Sequence, residues 1–322
     1  MTAPANRPMF PHTFDSTMLA AFASCPQKMF RTYVEHWKPK SESVHLVAGG
    51  AFAKGIEVAR KAFYEQGQSK EEAEALGLAA LIFAYGDFEC PADSAKSLER
   101  TVGALEFYYT NYPFGECGLT PIKFPDGRWA IEFSFAEPLD IAHPVTGDPI
   151  LYTGRLDCIG DFAGGIYGVD EKTASSLGAS WSKQWEMRSQ FTGYQWAANR
   201  AGVNMQGSLV RGVSILKTKY DTQQAITYRS PYEVERWYKQ TIRNIARAIE
   251  MWKEGYWDYD LNGACAEYGG CNMVSICKSA DPENWLPMYF DKRVWDPLAR
   301  RELSVAEWEA SWEAKPAGIT AP

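Results

Sequence analysis

The sequence predicts an α/β domain in which a central mixed β-sheet is flanked by helices and preceded by a mainly helical N-terminal region. Capped helical segments occupy residues 15–127, and a stretch rich in β-branched and aromatic residues covers about 128–173. Helices and two further strands follow it. Strand-rich and helical segments in this order are typical of a sheet covered by helices, and 322 residues suffice for its core.

The N-terminal helices carry local start signals. The first helix begins at Asp15 and is expected to run to about residue 38, and the second spans about 49–66. Ser69 and Glu72 form a capping box that opens a third helix. Ser94 is predicted to cap a fourth helix, which ends before a proline.

The second half of the chain alternates helix and strand. A helix is predicted over about 183–201, and strands over 207–217 and 223–229. A long helix opens at Ser230, with proline at its first position, and ends at Gly255.

We predict one domain over residues 1–303. Its parts are a mainly helical segment (15–127), the sheet with its helix (128–230), and a long helix with a cysteine cluster (231–303), while 304–322 form a peripheral tail. The sequence has no apolar run of membrane-spanning length, and its N-terminus lacks the features of a signal peptide. A cytoplasmic protein is therefore expected. The net charge of −7 argues against a general nucleic-acid coat, but not against local nucleic-acid contacts.

Two extended segments, 150–162 and 166–173, flank a Gly-rich break and predict a β-hairpin. A turn centred between Ala163 and Gly164 places Asp157 opposite Asp170. The same register places Arg155 opposite Lys172 and all four side chains on one face. Facing carboxylates about 5 Å apart are unfavourable unless a cation lies between them, and a divalent metal there would activate a water. The alternative is a solvated face whose charges pair among themselves.

Three motifs follow in order. Asp157 ends a Gly-Arg-Leu-Asp sequence, Asp170 and Lys172 form a D-x-K, and Gln190 and Tyr194 share a helix face at i and i+4. With the cysteines described below, this set resembles the PD-(D/E)XK nuclease superfamily, and within it the RecB-like iron–sulfur exonuclease branch of phage type. The resemblance covers about residues 15 to 300. It implies a restriction-endonuclease-like core, phosphodiester hydrolysis in DNA, and a role in recombination, repair or phage DNA processing.

The resemblance also implies a metal site. Asp157, Asp170 and the backbone carbonyl of Glu171 would bind Mg2+ or Mn2+. Glu132 would be a further ligand, with Glu137 as its competitor. Lys172 would orient the attacking water or stabilise charge on the phosphate.

Three more side chains have two interpretations each. Gln190 and Tyr194 would contact the phosphate or fix the catalytic face, or they would pack the helix against the sheet. Arg155 would hold a phosphate or screen the carboxylates. Trp181 and Trp185, beside basic residues, suit either a single-stranded DNA track or ordinary packing.

Four cysteines are candidate cluster ligands. Cys265, Cys271 and Cys277 are evenly spaced, and Cys25 lies about 240 residues upstream. Four thiolates suit zinc or an iron–sulfur cluster, and the long spacings favour iron–sulfur. The resemblance implies a 4Fe–4S cluster that joins the two ends of the domain. The alternative is a set of reduced, buried cysteines without a metal.

The sequence departs from the family at one position. Many RecB-like nucleases carry a histidine on an early helix, and Ala53 occupies the position that aligns with it. This departure leaves a second hypothesis open: a catalytically inactive protein that binds DNA ends or assists recombination. The expected partners are DNA, as a single strand or an end, and an unidentified recombination protein.

Overall fold

A seven-stranded mixed sheet forms the centre of the protein in the computed structural model, which describes residues 7–298 and 304–313. A two-stranded sheet lies apart from it. In chain order, the strands are β1 (Thr13–Phe14), β2 (Trp37–Pro39), β3 (Leu119–Pro121), β4 (Ile131–Ala142), β5 (Pro149–Phe162), β6 (Gly165–Ala174), β7 (Gly207–Ile215), β8 (Tyr220–Tyr228) and β9 (Phe290–Lys292). Strands β2 and β9 form the small sheet.

The main sheet runs in the order β1-β5-β6-β7-β8, and β3 and β4 also pair with β5. The β1–β5 and β6–β7 pairs are parallel and the others antiparallel, so the predicted mixed sheet is confirmed. Strand β5 pairs with β1 at residues 151–152 and with β6 at 158–162. Residues 153–157 lie between these two ladders.

Helices cover both faces of the sheet. They are α1 (Ser16–Ser24), α2 (Pro26–Met29), α3 (Val44–Tyr64), α4 (Lys70–Tyr85), α5 (Leu98–Asn111), α6 (Ala179–Lys183), α7 (Ser189–Arg200), α8 (Pro231–Glu254), α9 (Val274–Cys277), α10 (Pro282–Tyr289) and α11 (Val305–Glu313). Helices α3, α4 and α5 share one apolar cluster with Val213 and Ile215 of β7. Helices α1, α7 and α8 share a second cluster with β4 and β5. Among the described residues, no helix is long and apolar enough to cross a membrane.

Four predicted helix boundaries differ from the structure. The start of α3 lies at Val44 instead of about residue 49. The first helix stops at Ser24, because Cys25 adopts an extended conformation before Pro26, as residues before proline prefer. A short α2 and a π-helical turn over Phe30–Val34 continue the chain. Ser97, not Ser94, caps α5. The segment predicted as one helix over 183–201 contains the end of α6 and all of α7.

The capping predictions at two other helices are confirmed. Ser69 and Glu72 form a reciprocal capping box at α4, and Ser230 and Glu233 form another at α8. Gly255 ends α8 with a left-handed backbone, φ 75°. These interactions are local, and they set the residues at which the helices begin and end.

The two ends of the described chain meet. Strand β2 pairs with β9, and Arg31 forms a 2.9 Å ion pair with Glu283, 252 positions away. In the segment predicted as a tail, Val305 and Trp308 of α11 are buried against α3 and α4. Residues 314–322 lie outside the described part, and the division into one domain and a tail stays a prediction.

Candidate active site

The β5–β6 hairpin has the predicted register. Phe162 pairs with Gly165 across a two-residue turn, in which Ala163 and Gly164 both have positive φ, 53° and 80°. This is the turn that matches the twist of paired strands. The last pair of the ladder is Cys158–Val169. Asp157 and Asp170 are the next residue on each strand, so they lie at the point where β5 and β6 diverge.

The alternation of β5 is interrupted at Asp157. Leu156 belongs to the apolar cluster that contains α7 and α8, whereas Cys158 packs with Val169 and Leu209 in a different cluster. Two residues that flank a single position would ordinarily lie on the same face. The expectation that simple alternation brings Arg155 onto the face of Asp157 is therefore not supported at this position.

Strand β4 has a matching irregularity. Its residues Ile131 and Phe133 pair with Cys158 and Leu156, and between them Glu132 has a left-handed φ of 55°. This conformation is unusual for a residue other than glycine. Glu132 is buried, and its pKa lies well above the usual range, because burial and then the charges of Glu57 and Asp157 disfavour its ionised form. Glu132 and Asp157 are therefore electrostatically close, each at an irregular position of its strand.

Ionisation of the neighbouring carboxyl groups is unfavourable. Burial and the charge of Asp170 raise the pKa of Asp157 to about 7. Burial also raises the pKa of Asp170, although Lys172 opposes this effect. Lys172 Nζ lies 2.7 Å from Asp170 Oδ2 and keeps about a third of its side chain exposed (35%). A divalent cation would relieve the repulsion, and carboxylate oxygens are the ligands that Mg2+ and Mn2+ prefer.

Arg155 forms an ion pair with Glu132 at 2.7 Å between Nε and Oε2. Of the two predicted roles of Arg155, this ion pair corresponds to the one in which Arg155 screens a carboxylate. Glu137, the competitor of Glu132, pairs with Arg200 at 2.8 Å. Glu132 is accordingly the better placed of the two glutamates.

The side chain of Glu171 is bound by residues of two helices, although its charge still contributes to the raised pKa values of Asp157 and Asp170. It accepts hydrogen bonds from Arg60 and from the Tyr108 hydroxyl, the latter at 3.0 Å, and it is buried. These partners come from α3 and α5, on the face of β6 opposite α7. The predicted role of Glu171 uses only its backbone carbonyl and does not require its side chain.

Gln190 and Tyr194 contact each other on α7, with 3.0 Å between Gln190 Nε2 and the Tyr194 hydroxyl. The charges of Asp170 and Asp157, after burial, raise the pKa of Tyr194, so this side chain lies near the carboxylates. Its ring also packs edge-on against Phe135. A Cβ atom at Gly154 would lie 2.5 Å from Phe135 and 3.0 Å from Tyr194, so the glycine of the first motif permits this packing.

Two charged groups outside the predicted set of site residues also lie near the carboxylates. Arg188, just before α7, lowers the pKa of Asp170 through its charge. Glu57 on α3 is buried and paired with Lys54 and Lys61, and it lies close enough to raise the pKa of Glu132. Glu57 lies one helical turn after Ala53, a spacing that allows both positions to face the site. Trp181 and Trp185 are buried in an apolar cluster, so they are packing residues and not a DNA track.

The four candidate cysteines line one cavity of about 350 Å³. Cys25 lies at the break between α1 and α2, Cys277 ends α9, and the Cys271 amide donates to the Cys265 carbonyl at 2.9 Å. Burial, then Cys25, Cys271 and Cys265, raise the pKa of the Cys277 thiol to about 11. The tertiary structure thus brings together thiols from both ends of the chain.

The remaining cysteines lie elsewhere. Cys158 is buried in the core, whereas Cys90 and Cys117 are only partly buried. Within residues 7–298 and 304–313, no three His, Cys, Asp or Glu side chains are close enough together to form a metal site. Both metal sites therefore stay predictions, based on the chemistry and placement of their donors.

Residues 16–278 match the family model of the PD-(D/E)XK nuclease superfamily. The match covers most of the chain, and the protein belongs to this superfamily of nucleases. Its members generally use Mg2+ or Mn2+ and act on DNA.

Two solved structures are similar to this chain. A proposed exonuclease from Eubacterium rectale has 13% identity, covers 77% of this chain and 84% of its own, and gives a TM-score of 0.45. The protein SSO0001 has 14% identity, covers 62% of this chain and 74% of its own, and gives a TM-score of 0.27. No curated protein matches the chain.

Proposed function

We propose that this protein is a metal-dependent DNA exonuclease or related deoxyribonuclease of the RecB-like branch, acting in DNA recombination, repair or phage DNA processing. The observation that carries the proposal is the placement of Asp157, Asp170 and Lys172 where β5 and β6 diverge. A pair of crowded carboxyls beside a lysine is the chemistry of a hydrolytic phosphodiesterase site.

The residues fit a hard divalent cation. Burial and then the charge of Asp170 raise the pKa of Asp157, so ionisation of both carboxyls is unfavourable without a cation. Asp157, Asp170, the Glu171 carbonyl and Glu132 would supply oxygen ligands. When bound, the metal lowers the pKa of water and polarises the phosphate.

The protein's own groups have distinct tasks in this proposal. Lys172, held by Asp170, donates a hydrogen bond to the attacking water or stabilises the charge that develops on the phosphate. Arg155 is held by Glu132 and would exchange this partner for a substrate phosphate, because its planar guanidinium suits either acceptor. Tyr194 and Gln190 brace the catalytic face from α7.

The cysteine cavity supports a structural 4Fe–4S cluster. Cys25, Cys265, Cys271 and Cys277 all line it, and their mutual repulsion as thiolates would be offset by iron. Zinc is the alternative occupant. A cluster here would join the segment after α1 to the segment after α8, beside the β2–β9 pair.

A second candidate function is supported by Ala53. With no histidine at this position and Glu57 engaged by two lysines, the site has fewer free ligands than the family pattern. A catalytically inactive protein that binds DNA ends, or assists a recombination protein, would then retain the fold and the cluster.

Cleavage of end-labelled DNA tests the proposal. Anaerobically purified protein would be incubated with single- and double-stranded substrates and Mn2+, alongside Asp170→Ala and the control Asp148→Ala. Asp148 is exposed in the turn between β4 and β5 and is not one of the proposed metal ligands. Degradation by the wild type and the control alone would support a nuclease. Binding without degradation by the wild type would favour the inactive DNA-binding protein.

A further inference from the structure

Helix α8 presents a row of cationic and amide side chains to solvent. We call Arg236, Lys239, Gln240, Arg243 and Arg247 the α8 stripe. Their spacings of one, three and four residues place them along one side of the helix. From Arg236 to Arg247 the stripe is roughly 16 Å long. Four cations side by side are notable in a chain whose net charge is −7.

These cations are weakly engaged. Lys239 pairs with the neighbouring Glu235 at 2.5 Å. Arg247 lies 3.8 Å from Asp258. The side chains of both pairs are at least half exposed. Arg243 forms no ion pair with any residue that the structure describes. Exposed ion pairs contribute little stability, so the stripe can exchange these partners for an anionic ligand.

A groove of about 390 Å³ runs beside the stripe, between α8, α1 and α7. Leu19 and Ala23 of α1, Met187 and Trp237 supply apolar wall, and Arg236 is shared with the stripe. Met187 is 79% exposed, which is unusual for a large apolar side chain. The groove therefore combines an apolar wall with a cationic edge.

The groove also borders the element that carries the active-site motif. Ser189 lines it at the start of α7, where Trp237 Nε1 donates to Ser189 Oγ at 2.8 Å. The next residue is Gln190, and the preceding Arg188 lies close enough to Asp170 to lower its pKa. A ligand that follows the groove past the start of α7 therefore approaches the carboxylates.

We propose that the α8 stripe and this groove bind a single strand of DNA on its way to the carboxylates. Phosphates would lie along the stripe and bases against the apolar wall. A duplex hides the faces of its bases, whereas a single strand offers both phosphates and bases. This inference rests on the proposed nuclease function and names the path of its substrate.

Binding in EDTA tests the path separately from cleavage. The fluorescence anisotropy of a labelled oligothymidylate would be measured over a salt series for the wild type, Arg243→Gln/Arg247→Gln and Lys123→Gln/Arg128→Gln. Each double variant removes two exposed cations, so both change the net charge equally. Lys123 and Arg128 flank the turn between β3 and β4, apart from α8.

The α8 variant should bind about tenfold more weakly at low salt, and its slope of log affinity against log salt should fall by about 1.4, the value for two phosphate contacts on a single strand. The control should bind like the wild type. Arg243→Lys/Arg247→Lys should retain most of the affinity, because it keeps the charge. Circular dichroism would establish that each variant is folded.

Equal weakening by both double variants would overturn the proposal, because it would indicate nonspecific attraction. An α8 variant that loses affinity only for duplex DNA would also overturn it. So would an α8 variant that binds and degrades the single strand normally, and this outcome would leave the nuclease function intact. A stripe used by an acidic protein partner would also give this last result. A wild type that binds no DNA and cleaves none would overturn both proposals.

Discussion

Arg60 of α3 and Glu171 of β6 form a buried ion pair between residues 111 positions apart. Glu171 lies between Asp170 and Lys172, so its side chain anchors one face of β6 while its neighbours belong to the candidate site. Tyr108 of α5 donates to the same carboxylate at 3.0 Å. The helical N-terminal region is thus attached directly to the strand that carries the D-x-K motif.

Removing Arg60 should destabilise the whole domain. Arg60→Met would leave the Glu171 carboxylate buried without its main counter-charge, and we expect a loss of about 3–5 kcal/mol in the free energy of unfolding. Urea denaturation measures this change. Arg60→Met/Glu171→Leu should recover part of the loss, because no buried charge is left uncompensated. A single variant within about 1 kcal/mol of the wild type would contradict the assigned role of the pair.

Lys172→Met should separate catalysis from metal binding. We expect the rate of DNA cleavage to fall by about 10²–10³, because a group that stabilises transition-state charge is lost. Mn2+ affinity should stay the same or increase, since a cation that competes for Asp170 is removed. Single-turnover kinetics and calorimetric titration measure the two effects. Lys219→Met, at an exposed lysine, is the control, and unchanged cleavage by Lys172→Met would refute the catalytic role.

The metal-free protein should lose stability as the pH rises. The pKa of Asp157 is about 7 in the folded protein, above the ordinary value of 3.8 for the unfolded chain. Between these values the folded state binds more protons than the unfolded state, so the free energy of unfolding falls with rising pH. The slope from this group approaches about 1.4 kcal/mol per pH unit, and the effect ends above pH about 7.

Denaturation in EDTA at pH about 5.5 and about 8, one below and one above the pKa of Asp157, measures this dependence. Asp157→Asn should show a weaker dependence, because an amide cannot ionise. Mn2+ should stabilise the wild type more at the higher pH, where binding displaces no proton. Identical pH dependence in the two proteins would show that Asp157 does not titrate as described.

Cys271→Ala should remove the cluster. Anaerobically purified wild type should be brown and contain about four iron atoms and acid-labile sulfide per chain, whereas the variant should be colourless and less soluble. Cys90→Ala is the matched control, because Cys90 does not line the cavity. A colourless wild type that contains zinc would replace the iron–sulfur proposal with a zinc site, and a metal-free wild type of equal stability would remove both.

Much of the fold was predictable because its signals are local. The two-residue turn at Ala163 and Gly164 fixes the hairpin register, and with it the neighbouring positions of Asp157 and Asp170. The capping box at Ser230 and Glu233 fixes the start of α8 in the same way. Such features depend on backbone conformation and side chains a few residues apart, which a sequence displays directly.

The partners of the charged side chains were not predictable, because they come from distant parts of the chain. Arg155 pairs with Glu132 on the neighbouring strand, at a point where the regular alternation of side chains fails. Strand periodicity alone assigns Arg155 to the wrong neighbours there. Likewise, the pattern shows Glu171 as a member of the motif, but not that α3 and α5 hold its side chain on the other face.

The sequence by itself determined the superfamily, the hairpin and the residues that are chemically able to bind metal or a cluster. Only the tertiary structure decided that Cys25 shares a cavity with Cys265, Cys271 and Cys277, and that α8 places its cations beside α7. The physical reason is that composition and spacing specify local conformation, whereas long-range contacts depend on how helices and strands pack to bury their apolar faces.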